Sequence, residues 1–289
     1  MISDASGAAM IENLRTLLIA LIERLDDETP SGALAYGLSL AEQAQARVTV
    51  QAVSVRLVVP HAWISRFVGM VVAAENRRLR ELAQAAAERA RGDAAAAGLL
   101  CTTQTEHLAY DRLLASFSAQ ARLHDLAVIE AAPRSLTADR GLIETLLFES
   151  GRPLIVVPPG CETFAARRIL VAWDGSAQAA RALHDALPFL RLAERVEIVV
   201  VTGEKDLSHA VPGAEVAPGL AQHGVAVTVT DLPAGDGDVA GVLRRHATEM
   251  GADMIVMGAY VRSLLAETVL GGVTQAMLGS CPVPLLMAH

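Results

Sequence analysis

One twelve-residue block is written twice in this chain. Residues 125–136, Asp125-Leu126-Ala127-Val128-Ile129-Glu130-Ala131-Ala132-Pro133-Arg134-Ser135-Leu136, align without a gap on residues 253–264, Asp253-Met254-Ile255-Val256-Met257-Gly258-Ala259-Tyr260-Val261-Arg262-Ser263-Leu264. Each copy is an aspartate, an apolar strand, a turn and then Arg-Ser-Leu. A block recurring this far apart predicts a duplicated fold. The copies differ where the strand ends, with Glu130 in the first and Gly258 in the second. A glycine there lets a backbone come close to a ligand, so the second half is expected to be intact and the first degenerate.

The pattern around each copy predicts the same order of elements. In the second half, Arg168 to Trp173 is a short apolar run that stops at Asp174-Gly175-Ser176, which reads as a buried strand, a tight turn and a helix cap. Ala179, Ala182, Leu183, Ala186 and Leu190 then recur at helical spacing. Val196 to Val201 and Val225 to Thr230 are further strands. A helix runs from Asp236-Gly237-Asp238 to about Met250, and strands at Asp253 to Met257 and Pro284 to Ala288 complete the half. The first half offers a strand at Thr16 to Leu21, a helix at Ser31 to Ala46 and strands at Val48 to Val55, Asp125 to Ile129 and Pro153 to Val157. The Ala/Arg/Glu-rich run from about Met70 to Ala97 is strongly helix-forming and reads as a surface helix covering the sheet. Strands alternating with helices point to right-handed crossovers and parallel sheets.

The fold expected is therefore α/β, with two tandem open parallel five-stranded sheets and helices on both faces of each. Pro158-Pro159-Gly160 divides the chain into domains at 1–158 and 159–289. The two last strands are expected to bring the halves together as an intrachain pseudo-dimer. At 289 residues and 52% hydrophobic composition, either half can bury a core, and a sheet covered on both faces accounts for the abundance of Ala, Val and Leu.

Composition also excludes several classes. Mean hydropathy is +0.37, yet no run of about 18 apolar residues occurs, so no membrane partner is expected. Residues 1–10 lack a basic stretch before an apolar one, so a cytoplasmic location is expected. The three cysteines, Cys101, Cys161 and Cys281, lack metal or disulfide spacing. A net charge of −8 without a Lys/Arg run, and 3% aromatic residues, offer nucleic acid neither a charged footprint nor a stacking platform.

Together these features resemble the universal stress protein family in its tandem form, over nearly the whole chain and most strongly in the second half. Nucleotide-binding members of that family carry G-x-x-G, nine residues, then G-S or G-T after the fourth strand. The register here reads Gly258-Ala259-Tyr260-Val261, nine residues, Gly271-Gly272, then Val273-Thr274. Asp174 stands where the family has its acidic residue after the first strand. The resemblance implies an adenine nucleotide α-hydrolase-like fold and a role in stress survival. It also implies adenine-nucleotide binding, ATP or AMP, in the second half, with Mg²⁺ where a triphosphate is bound.

Asp174, Gly258, Gly271, Gly272 and Thr274 would line that site, the Thr274 hydroxyl partly replacing the one missing at Gly272. Arg262 would close over phosphates, or Arg262-Ser263 would instead keep a turn that starts the next helix. Val261 departs from the pattern, because a β-branched residue tolerates positive φ poorly. Glu130, Pro133 and Ile22 replace the corresponding residues of the first half, and a carboxylate beside polyphosphate repels it.

Hydrolysis, if any, is expected to be slow, since no base is recognisable beside the expected phosphates. The alternative reading is a nucleotide-free scaffold or interaction module of the same fold. A homodimer is compatible with either. Three lesser candidates read as structural. His184-Asp185 are neighbours on a helix and point apart, Asp236-Gly237-Asp238 lacks the rest of a calcium loop, and Ser176 lacks the surroundings of a nucleophile and reads as an N-cap.

Overall fold

A computed structural model describes residues 11–25, 31–58, 66–131, 138–202, 212–235, 237–259, 261–264 and 267–289. The N-terminal half contains β1 (Thr16–Glu23), α1 (Gly32–Ala44), β2 (Arg47–Val55), α2 (Arg66–Ala96), β3 (Cys101–Leu108), α3 (Tyr110–Ala121), β4 (Leu126–Glu130), α4 (Ala138–Glu149) and β5 (Leu154–Val157). The C-terminal half contains β6 (Arg168–Ala172), α5 (Ala177–Asp185), α6 (Leu187–Leu190), β7 (Arg195–Thr202), α7 (Gly213–Gln222), β8 (Val227–Pro233) and α8 (Val239–Met250). It continues with β9 (Met254–Gly258), β10 (Val261–Leu264), β11 (Glu267–Leu270), α9 (Gly272–Ser280) and β12 (Leu285–Ala288).

Strands of the first half lie in the order β3-β2-β1-β4-β5, and those of the second in the matching order β8-β7-β6-β9-β12. Every pairing among these strands within a half is parallel, as the alternation of elements predicts. The two sheets are not separate, however. β5 and β12 pair antiparallel and fuse them into one ten-stranded sheet. Ile155 pairs with its own counterpart Leu286, while Leu154 pairs with Met287 and Val156 with Leu285. The register is self-complementary about Ile155 and Leu286, which is the signature of a two-fold relation. An unpaired last strand would expose a row of N–H and C=O groups, and mutual pairing removes both edges.

Local chemistry explains the elements that position the site. β1, β4, β5, β9 and β12 are nearly continuous buried apolar runs, because both their faces are covered. One core packs α1, the Ala-rich side of α2, α5, α6 and α7 onto one face, and the other packs α3, α4, α8 and α9 onto the opposite face. On α2, Leu79, Ala83, Ala86, Ala87, Ala90 and Ala94 are buried at helical spacing, so this helix covers the sheet, as its sequence suggests. Ser31 and Ser176 cap α1 and α5 by accepting from the N–H groups of Ala33 and Ala179. The helical run read from Ala179 to Leu190 is broken at Ala186, with Pro188 in the first turn of α6, since proline cannot continue a helix interior.

The aspartate that opens each repeat is a clamp at the opposite end of the sheet from any strand-end ligand. Asp125 Oδ2 accepts from the backbone N–H groups of Arg15 and Thr16 at 2.9 Å each and from the Thr16 hydroxyl at 3.0 Å. Asp253 Oδ2 accepts from Arg167 and Arg168 at 2.9 and 2.8 Å. Each ties the first strand of its half to the fourth. Burial alone would raise the Asp125 carboxyl, but these donors and the nearby Arg152 hold it below the usual carboxylate range.

Several elements went unread in the sequence, α3 and α4 among them. β3 is polar along its length and lies at the sheet edge, α7 is short and contains Pro218, and β10 pairs with β11 as a separate antiparallel hairpin. No described helix is long and apolar enough to cross a membrane.

Candidate functional site

Strand order in the C-terminal half reverses between β6 and β9, and ligands of open α/β sheets sit outside the strand ends at such a point. Asp174 follows β6, and Gly258 ends the adjacent β9, whose Met257 pairs with Ala172. The structure therefore brings these two expected residues together at one edge. Asp174 is held in place by its turn, its Oδ1 accepting from the Ser176 N–H at 3.1 Å.

Gly258 has a second reason to be glycine. A Cβ there would lie 2.5 Å from the backbone N of Ala179 and 2.6 Å from the backbone C of Gln178, so the first turn of α5 already occupies the space beside the strand end. In the first half the Glu130 side chain occupies the place beside the strand end. The Gly32 N–H at the start of α1 donates to Glu130 Oε1 at 3.3 Å. Glu130 thus places its carboxylate at a helix N-terminus, where an anion is favoured. It is partly buried there.

Gly271 and Gly272 stand where expected, at the start of a helix. Gly271 is the N-cap of α9 and Gly272 its first residue, and the backbone N–H groups of such a turn have no partner within the helix. Nothing lies within 4 Å of a Cβ built on Gly272. Thr274 is only 1% exposed, so its side chain is enclosed by the fold and is not presented at the surface as a substitute for the missing hydroxyl. Arg262 does not sit in a turn that starts the next helix. It belongs to β10, in register with Val269 of β11, and the helix begins ten residues later at Gly272. Val261 is likewise extended, opposite Leu270, a conformation that suits a β-branched residue. The positive-φ objection to Val261 is therefore removed. Pro133, Arg134 and Ser135 of the first copy lie outside the described residues.

Beside Asp174 the fold opens a cavity of about 240 Å³, lined by Trp173, Asp174, Gly175, Val200, Thr202, Pro212, Gly213, Ala214, Val229 and Asp231. Its floor is the end of β6, β7 and β8, and its wall is the first turn of α7. Gly213 lets that wall sit close, since a Cβ would stand 3.0 Å from Val200 and 3.2 Å from Val229. Thr202 and Asp231 were not singled out from the sequence. The usable signal was alternation: Val227, Val229 and Asp231 share one face of β8, and Val200 and Thr202 share that face of β7.

A polar cluster of another kind lies on the opposite face of these strands. Glu197, buried in β7, accepts from the Thr230 hydroxyl at 2.7 Å and from Arg195 Nη2 at 2.7 Å, and its Oε1 lies 2.8 Å from His246 Nε2 of α8. It is closed over by α8 and is structural. Cys101, Cys161 and Cys281 are free thiols. Burial pushes the Cys281 thiol up to about 11, leaving it protonated at neutral pH. Among the described residues no group of three or more His, Cys, Asp or Glu could hold a metal ion.

Comparison with known proteins adds the following. The model of the universal stress protein family matches residues 165–289. The crystal structure of a universal stress protein from Archaeoglobus fulgidus DSM 4304 superposes with a TM-score of 0.69 at 16% identity, covering 94% of this chain and 97% of that one. A functionally unknown protein from Pseudomonas aeruginosa PAO1 superposes with a TM-score of 0.57 at 17% identity, covering 96% and 93%. At these identities the likeness speaks for the fold. None of the curated proteins matches the sequence.

Proposed function

We propose that the half of the chain that matches the model of the universal stress protein family, residues 165–289, binds an adenine nucleotide, ATP or AMP, in a stress-response role. The observation that carries the reading is the cavity over the ends of β6, β7 and β8, which has Asp174 on its β6 side, next to the point where strand order reverses between β6 and β9. Its apolar walls suit a flat base, and its carboxylates and threonine suit the hydrogen-bond donors of a nucleoside. The N–H groups at the start of α9 would receive phosphate, with Mg²⁺ accompanying a triphosphate and hydrolysis slow at most.

Titration calorimetry with AMP and ATP tests this. Asp174→Ala should weaken binding by about tenfold or more, the worth of a hydrogen-bonded group in a ligand site. Asp174→Asn keeps the acceptor for Ser176 and controls for the turn. Unchanged affinity in Asp174→Ala would remove the nucleotide from this cavity. Gly272→Ser supplies the missing hydroxyl in space that is open and should tighten AMP binding by about threefold to tenfold, the effect of one added hydrogen bond. No change there would mean that phosphate does not reach α9.

A second reading, an interaction module without nucleotide, draws support from the packing of α5 against Gly258 and from the enclosed Thr274 side chain. Neither leaves the phosphate end as open as the cavity leaves the base end. Mass spectrometry of the gently denatured protein separates the two readings, because the first expects co-purified adenine nucleotide and the second none.

A further inference from the structure

The fused sheet ends in two edge strands, β3 and β8, and they are protected unequally. In β3 the even-numbered residues turn their backbone groups toward β2, since Val48 N–H donates to Leu100 O and Arg56 N–H to Leu108 O. The N–H and C=O groups of Cys101, Thr103, Thr105 and His107 therefore point out of the sheet, and no described strand pairs with them. By the same alternation, with Ala234 N–H donating to Thr202 O, β8 turns Val227, Val229, Asp231 and Pro233 outward. Pro233 has no N–H to give, and Asp231 adds an exposed carboxylate, both of which blunt an edge. At the matching positions β3 has His107 and Thr105. Cys101–Leu108 carries no Pro, Gly, Lys or Arg, and its threonines suit a strand. The first half therefore leaves open the edge that the second half protects.

We infer that β3 is an interaction surface for a second copy of this chain, the two β3 strands pairing antiparallel about a two-fold axis at Gln104. In that register Thr103 faces Thr105 of the second copy and Cys101 faces its His107, so every outward N–H meets an outward C=O. Gln104 faces itself, and Thr102 faces Glu106. No like charges stand opposite one another, and polar pairs of this kind are favourable cross-strand neighbours. Moving the axis to Thr103 or Thr105 leaves outward groups unmatched at one end of the strand. A contact between β3 and β8 would meet Pro233 and would propagate from copy to copy, whereas the two-fold pairing closes and leaves no free β3 edge.

Sedimentation equilibrium of the full chain over a range of concentrations should give a reversible dimer of the 30.4 kDa chain. Thr105→Pro removes an N–H that the fold does not use and should raise the dimer dissociation constant by about tenfold or more, the loss of one backbone hydrogen bond from each copy. Val227→Pro places the same lesion on the other edge and should leave the dimer intact. A disulfide tests the register without relying on either proline variant to fold. In a Cys101→Ser background, Gln104→Cys should join two copies under mild oxidation, because facing residues between hydrogen-bonded pairs of an antiparallel ladder lie about 4.5 Å apart at Cα, within disulfide reach. Thr102→Cys in the same background faces Glu106 and should crosslink far less. A wild-type chain that stays monomeric at every concentration overturns the inference, as does a dimer that a folded Thr105→Pro leaves unweakened. So does a Gln104→Cys chain that crosslinks no better than Thr102→Cys.

Discussion

Replacing Gly258 by alanine should destabilise the chain by about 3 kcal/mol, near the upper end of what overpacking a tight contact costs. The added Cβ would lie 2.5 Å from a backbone nitrogen and 2.6 Å from a backbone carbon at the start of α5. Backbone cannot swing aside as the end of a long side chain can. The first turn of α5, with its Ser176 cap and the Asp174 turn before it, must move off the sheet. Denaturant titration would read the effect as a lower midpoint with an unchanged slope.

Gly272→Ala is the matched control. It meets nothing within 4 Å, and alanine favours a helix over glycine by about 0.8–1 kcal/mol, so its midpoint should hold or rise slightly. A neutral Gly258→Ala would mean that α5 yields easily, and the glycine would then have to be explained by a ligand alone. Gly258→Glu, which copies the first half, should be worse than alanine in both stability and binding. In the first half the Gly32 N–H at the start of α1 donates to the Glu130 carboxylate, whereas at Gly258 the backbone of α5 occupies that space.

The second large effect belongs to Glu197. Glu197 is 3% exposed, and its carboxylate holds Thr230, Arg195 and His246 together beneath α8. Glu197→Ala should cost about 2 kcal/mol, the loss of hydrogen bonds to a charged group, since Arg195 is half exposed and can turn to water while Thr230 and His246 lose their acceptor. Burial alone would raise this carboxyl, but the Thr230 hydroxyl, the His246 ring and Arg195 hold it below the ordinary range. A carboxylate whose folded pKa is depressed contributes stability that is complete above the unfolded value of about 4.3. That contribution is lost as pH falls through the folded value. The gap in stability between wild type and Glu197→Ala should therefore be full at pH 7 and close in the acid range below about pH 4. A gap that stays constant from pH 7 to pH 3 would show that Glu197 contributes by shape and not by charge.

Much of this molecule is written locally. The apolar runs that became β1, β2, β4, β5, β6, β7, β9 and β12 could be read because each is short, apolar and punctuated by a cap or turn. Ser31, Ser176 and Asp238 were legible as helix starts because a short polar side chain before a helical pattern has one efficient use, to accept from the first free N–H groups. The duplication itself, visible from Asp125 and Asp253, already required two halves of one topology. Asp174 could be named from its place after the first strand of its half, where the universal stress protein family has an acidic residue.

Only tertiary structure decided the rest, and the reason is the same each time. The fusion of two sheets into one depends on Ile155 meeting Leu286, a contact between distant segments that leaves no trace in local periodicity. β10 and β11 are four residues each, too short to declare a period, and their strand character comes from pairing with each other. The meaning of Gly258 reversed for a similar cause: the sequence showed an absent side chain, and only the fold showed that α5 fills the space. Asp231 was one charged residue among many until β8 took its place beside β7 and carried that carboxylate to the wall of a cavity opposite Asp174. Spacing along the chain fixes which residues share a face, while which faces meet is settled only when the long-range contacts close.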